Sequence, residues 1–185
     1  MEIEKLKQDK ELMQELQKKR EQALKNGSIV ELYDLLDTFL LLDKDEEVDE
    51  LYQAILQKAF DRLSSMLTQG ERFDLEDEEQ RYVARGIYEH ALERWDSGDF
   101  KGAGELFLIL SHMMPASLHE AMMLPLGLTA KKVSLDDFIK EYVEKEGLDE
   151  ESFFFERLTP KAKEFMAQNR DLIHQELQKA KKWAR

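Results

Sequence analysis

The sequence predicts an all-α fold, on three observations. Helix-forming Glu, Leu, Lys, Gln and Ala dominate the composition. β-branched residues are sparse, and the two-residue alternation of a half-buried strand is nearly absent. Only three prolines and eight glycines interrupt 185 residues, so long stretches carry no breaker.

The punctuation divides the chain into helices. The first is expected from about residue 3 to Lys25, stopped by Asn26-Gly27. Its apolar stripe of Ile3, Leu6, Met13, Leu16 and Leu24 is thin. Ser28 is placed to cap a second helix reaching about Leu42, with Ile29, Leu32, Leu35, Leu36, Phe39 and Leu40 at helical spacing. Asp43-Lys44-Asp45 breaks it, and Asp45 is the expected cap of the third. That helix carries an apolar stripe from Val48 to Leu67 at three-four spacing and ends at Gln69-Gly70. After the acidic loop ERFDLEDEEQ, a fourth helix is expected over about Glu78–Ser97 and a fifth over Lys101–Met113, stopped by Pro115.

Beyond Pro115 a short helix over Ser117–Met123 and an irregular stretch, MLPLGLTAKKV, are expected. Ser134, with Asp137 three residues on, reads as the start of a helix to Glu146, stopped by Gly147. Asp149 caps a short piece holding Phe153, Phe154 and Phe155. Three consecutive aromatic residues on a helix cannot all face one core, so another element or a partner chain is expected to cover at least one. Thr159-Pro160 opens a last helix to the C-terminus.

A chain of this length buries roughly 70% of its unfolded surface, enough for one domain without staples. No linker rich in Gly, Ser or Pro divides it. The absence of cysteine rules out disulfides, thiolate nucleophiles and cysteine-ligated metals, and agrees with a cytoplasmic location. Apolar runs such as Phe39–Leu42 and Leu106–Leu110 fall far short of the ~20 residues of a membrane span, and the charged N-terminus lacks the apolar core of a signal peptide. The net charge of −13 is uneven. Residues 1–25 sum to +1, 161–185 to +4, and the middle to −18. That acidic middle disfavours nucleic acid. The basic tail KAKKWAR reads as a solvated helix end.

No residue set carries recognisable catalysis, so the chain is expected not to be an enzyme and to need no cofactor or metal. The histidines (His90, His112, His119, His174) show neither His-Glu-x-x-His nor Glu-x-x-His spacing. The acidic run Asp43–Ala54 fails as a calcium loop, with Val48 where Gly is required and Ala54 where a bidentate Glu is required. Phosphate loop, dinucleotide fingerprint and nucleophile elbow are all missing.

The segment from Ala84 to Pro115 has a repeat-like pattern. Gly98 permits a tight turn, Phe100 and Phe107 wedge two helices, small Ala103 lets them approach, and Pro115 ends the second. Ala84, Tyr88 and Ala91 fit the preceding helix. This resembles a tetratricopeptide repeat, with a fainter echo at Gly27, Ile29, Leu32, Leu36, Phe39 and Leu42-Asp43. Over about residues 67–128 the order of Gly70, acidic Glu76–Glu79, Tyr88, Gly98, Phe100, Ala103, Phe107 and Leu126-Gly127-Leu128 resembles the SycD/LcrH class of type III secretion chaperones. The resemblance implies antiparallel helical hairpins over 67–128, with 1–66 an N-terminal extension and 129–185 additional C-terminal helices. It also implies a small cytoplasmic chaperone holding an extended client in a concave groove.

The candidate partner-binding face is Arg85, Tyr88, Leu92 and Trp95, at offsets 0, 3, 7 and 10 on one helix. Arg, Tyr and Trp are enriched at binding hot spots. For Tyr88 and Trp95, core packing is the competing reading. Met113, Met114, Met122 and Met123 supply either an adaptable binding surface or flexible core filling. The expected partner is a protein or peptide client. The alternative is a structural or regulatory subunit of a fixed complex or a homodimer.

Overall fold

The computed structural model of the chain describes residues 2–145 and 153–183. Among them ten α-helices are found, and the sole β-type pairing is one isolated antiparallel bridge, Val143 with Leu158. The all-α expectation holds. No helix among the described residues is long and apolar enough to cross a membrane.

The first expected helix is two, α1 (Glu2–Gln8) and α2 (Lys10–Asn26). Asp9 separates them because its carboxylate accepts the amide hydrogens of Glu11 and Leu12, both at 3.1 Å, and so starts a new helix. Ser28 caps α3 (Ile29–Leu41) by accepting from the Glu31 amide at 3.1 Å. Asp45 is not the cap of α4 (Asp45–Gln69) but its first helical residue. The cap position falls to Lys44, which supplies no side-chain acceptor. Asp45, Glu46 and Glu47 instead fill the first turn, where negative charge suits the helix dipole. Gly70, at φ +69°, takes the left-handed conformation that closes α4.

Asp77 caps α5 (Glu78–Asp96), accepting from Gln80 at 2.9 Å. Gly98 lies at φ +85°, and the short turn it permits sends α6 (Phe100–Met113) back along α5. Asp99 caps α6 through the Gly102 amide (2.8 Å) and also accepts from Arg94 (2.7 Å). These two contacts, the amide foremost, hold its carboxyl below the usual range.

Residues after Pro115 depart from expectation. A 3-10 turn (Ala116–Leu118) leads into one helix, α7 (His119–Ala130), with Pro125 inside it. A proline in a helix interior costs about 3 kcal/mol. Burial offsets it here: Met122, Leu124, Leu126 and Leu128 are all essentially inaccessible, and burying each such side chain contributes roughly 1.5–3 kcal/mol. The Thr129 hydroxyl donates to the Pro125 carbonyl at 2.8 Å, so that polar group is satisfied inside the core.

Ser134 caps α8 (Leu135–Asp137) as expected, but the helix does not reach Glu146. It widens into a π turn (Phe138–Tyr142) and then becomes extended at Val143. There the backbone finds other partners: Glu144 donates to the Arg157 carbonyl and Thr159 to that of Tyr142. The expected stop at Gly147 and cap at Asp149 lie outside the described residues. Phe153–Phe155 are not helical. Thr159 caps α9 (Pro160–Gln168), which is followed by α10 (Arg170–Gln178) and a 3-10 turn (Lys179–Trp183).

Buried side chains from Leu16 to Ala162 make one cluster, centred on α3 to α7. The N-terminal helices contribute little. α1 buries nothing and α2 buries Leu16 and Ala23. Polar contacts of Gln17 with Glu47, Arg20 with Glu50 and Lys7 with Asp43 tie them to α4 and to the turn before it.

Candidate functional site

Gly86 lets α5 approach its neighbours. A Cβ there would lie 3.3 Å from the Ala59 Cβ and 3.4 Å from the Tyr33 hydroxyl, so α5 packs directly against α4 and α3. The face containing Arg85, Tyr88, Leu92 and Trp95 then turns toward the C-terminal part of the chain. Trp95 is buried. Its indole N–H donates to the Val133 carbonyl at 2.8 Å, and its ring stacks on Phe138 (5.0 Å between centroids) and meets Phe107 edge-on. Tyr88 is buried as well, edge-on to both Phe107 and Phe154. Leu92 is half-buried. Phe107 and Ala103 are inaccessible in the core, Phe100 is half-buried, and Pro115 starts the turn after α6.

The face is covered by the chain itself. Residues 153–155, in non-helical backbone, cross it with each phenylalanine on a different support. Phe153 lies against Tyr82 (5.1 Å), Phe154 against Tyr88 (5.2 Å) and Phe155 against Phe138 (5.7 Å). The Phe155 amide donates to the Tyr88 hydroxyl at 3.2 Å. Non-helical backbone explains how all three rings find cover, which a helix could not provide.

Arg85 fixes one end of this arrangement. Its guanidinium lies 4.0 Å from the Tyr33 ring centroid and 4.6 Å from that of Phe153, so it stacks with both. It also pairs with Glu89 (2.8 Å) and with Asp37 of α3 (3.2 Å). Tyr33 donates its hydroxyl to Glu89 at 3.0 Å. Burial first, then the Glu89 carboxylate, raises the Tyr33 phenol well above its ordinary pKa. Burial likewise raises Tyr88, and burial with its hydrogen bond to Glu93 raises Tyr52. These phenols stay neutral and act as hydrogen-bond donors or acceptors. Carboxylates surround the Arg85 end. Asp34 sits near Asp37 and Glu78, and partial burial together with their charge raises its pKa.

The sequence pattern had grouped Arg85, Tyr88, Leu92 and Trp95. It did not bring in Tyr33, Tyr82 or Phe138. Tyr82 was legible, lying three residues before Arg85 on the same helix; Tyr33 and Phe138 come from distant elements and had no local signal. Of the four methionines singled out, Met113, Met114 and Met122 are buried, and Met123 is half-buried at the surface of α7. His90 is structural: its Nε2 accepts from Arg94 at 3.1 Å and its ring meets Phe60 edge-on. Among the described residues no group of three His, Cys, Asp or Glu side chains is placed to hold a metal ion.

No protein-family model matches the chain, and no curated protein or solved structure does either.

Proposed function

We propose that this protein is a non-enzymatic polypeptide-binding module, a cytoplasmic chaperone or adaptor that holds a client segment on a helical face. The observation that carries the reading is the seating of Phe153–Phe155 across α5. A face that positions three consecutive aromatic side chains of a non-helical segment, and accepts a backbone N–H from it, has the chemistry needed for an extended apolar client. Aromatic residues with an arginine among them are the groups that contribute most to such binding. The neutral phenols suit binding better than proton transfer, and the carboxylates around Arg85 favour clients with basic flanks.

In this reading α5 and α6 form a degenerate tetratricopeptide-like hairpin. Support comes from Gly98 at positive φ, from inaccessible Ala103, and from Phe107 lodged between Tyr88 and Trp95. A role in type III secretion rests on the resemblance over 67–128.

The test separates the face from its occupant. Phe153, Phe154 and Phe155 are replaced together by serine, and a fluorescent peptide with the sequence of residues 153–158, FFFERL, is titrated against the variant and the original chain. Saturable binding to the variant, with unchanged far-UV circular dichroism and much weaker binding to the original chain, is the expected result. A variant that keeps its helicity yet ignores the peptide overturns the reading. So does one that loses its helicity, because the segment is then obligatory core.

One observation favours a second reading, that of a fixed subunit or homodimer. Ile3 and Leu6 of α1 and Leu40 and Leu41 at the end of α3 are exposed, and the Lys7–Asp43 ion pair brings these two elements together. A stoichiometric partner or dimer that is lost on Leu41→Glu supports it.

A further inference from the structure

A second face, remote in sequence from α5, has the same spacing and is only partly covered by the chain: Ile173 is buried against α7, Met166 and Leu177 are half-buried, and Lys163 and Arg170 are exposed. On α9 and α10, Lys163, Met166, Arg170, Ile173 and Leu177 fall at offsets 0, 3, 7, 10 and 14. Asn169, whose backbone is non-helical, divides the two helices, but four-residue backbone hydrogen bonds continue on both sides of it. Its amide still donates to the Phe165 carbonyl at 2.9 Å, and its own carbonyl accepts from Ile173 at 3.0 Å. The five residues, at alternating three and four spacing, line one groove beside α7, and α7 already occupies the seam at Ile173.

The opposite wall is α7. Gly127 brings it close: a Cβ there would lie 2.9 Å from Ile173 and 3.1 Å from the Phe165 ring. Between the walls runs an open groove of about 500 Å³, with Met123 and Met166 half-buried along it. Methionine side chains adapt to the shape of an incoming helix.

The charge of the groove is opposite to that of the protein. Lys163, Arg170 and His174 line it, against Glu120 alone. The chain as a whole carries −13. Among the described residues neither Lys163 nor Arg170 is in an ion pair, although the chain has 40 Asp and Glu side chains and Lys161, two residues before Lys163, pairs with Glu141 of the π turn. Two unpaired cations seven residues apart, flanking apolar side chains, lack only the complementary anions.

We infer that the groove between α7 and α9–α10 is a docking surface for an acidic amphipathic helix of a partner protein. The partner presents apolar residues at three-four spacing toward Met123, Met166 and Leu177. It carries carboxylates seven residues apart, roughly 10 Å along its axis, to meet Lys163 and Arg170. This surface is separate from the α5 face, so it stands or falls independently of the client-binding reading.

The test is a displayed library of helical peptides with fixed apolar heptad positions and flanking positions randomised among Glu, Lys and Gln. It is selected on the full chain and, in parallel, on the K163E/R170E variant. The full chain is expected to enrich Glu at positions seven apart, and the variant to enrich Lys. A soluble enriched peptide should bind the full chain roughly tenfold or more tightly than the variant, by fluorescence anisotropy. K163Q/R170Q should fall between the two. Circular dichroism and thermal melting confirm that both variants fold. Enrichment indifferent to the charge at 163 and 170 overturns the proposal. So does a concentration-dependent dimer of the full chain that K163E/R170E dissociates, because the groove then belongs to a second copy. Binding to vesicles of anionic lipid that is lost in the variant assigns the cations to a membrane surface and overturns it equally.

Discussion

The faces of α5 and of α9–α10 begin alike. Each has a cation at the first position, then Tyr88 or Met166 at the fourth, Leu92 or Arg170 at the eighth, and Trp95 or Ile173 at the eleventh. Their fates differ. The α5 face is closed by Phe138 and by Phe153–Phe155, and its arginine is stacked and doubly paired. The α9–α10 face is closed at Ile173, which packs against α7, but its cations are exposed and Met166 and Leu177 line an open groove. Spacing determines which residues share a side of a helix. Whether that side becomes core or docking surface depends on whether another part of the chain reaches it. Aromatic content tilts the outcome, because each buried ring removes a large apolar area from water.

The largest effect that separates the two faces is expected at Trp95. Trp95→Ala empties a site packed between Phe107 and Phe138 and leaves the Val133 carbonyl without its donor, so stability should fall by about 3–5 kcal/mol in urea unfolding. A change well under about 1 kcal/mol would show that α5 presents an open face after all.

A smaller effect sharpens the picture of the covering segment. Tyr88→Phe keeps the ring and removes only the hydroxyl that accepts from the Phe155 amide. The expected loss is about 1 kcal/mol, read locally as a roughly fivefold faster hydrogen exchange at Phe155. Unchanged exchange there would mean that ring packing alone holds the segment.

The smallest effect is expected on the open face. K163Q/R170Q should leave the unfolding free energy of the isolated chain within about 0.5 kcal/mol, because exposed cations without ion-pair partners contribute little to folding. A loss comparable to that of Trp95→Ala would erase the contrast between the faces.

Solution pH probes a different link in the same α5–α6 unit. Asp99 has its carboxyl pKa depressed in the folded state by the Gly102 amide and by Arg94. Its contribution is present above the unfolded carboxylate pKa and is lost as pH falls through the lower folded value. Because the carboxylate is partly open to solvent, the contribution is small.

Much of the fold was legible in the sequence because helix signals are local. The caps at Ser28, Ser134 and Thr159, the stop at Gly70 and the turn at Gly98 each depend on a few neighbouring residues, and each appears where the pattern placed it. The departures have equally physical causes. Asp9 competes with helix continuation through its own side-chain hydrogen bonds. The stretch around Pro125 is irregular by its sequence, yet α7 passes through it because apolar burial along that helix outweighs a local penalty. Of the candidate site, the shared face of Arg85, Tyr88, Leu92 and Trp95 was legible and its covering was not.

That this chain is helical, where most of its helices begin and end, and which side chains share a face can all be read from the order of its residues. These are consequences of backbone hydrogen bonding and of a 3.6-residue period, both set within a few positions. Tertiary packing was needed to bring Phe153–Phe155 over α5 in non-helical backbone, to clamp Arg85 between Tyr33 and Phe153, and to bury Ile173 against α7 while leaving the groove beside it open. Those outcomes depend on contacts between residues far apart in the chain. Such contacts are selected by the total apolar area that the whole molecule can bury, and no local pattern contains that sum.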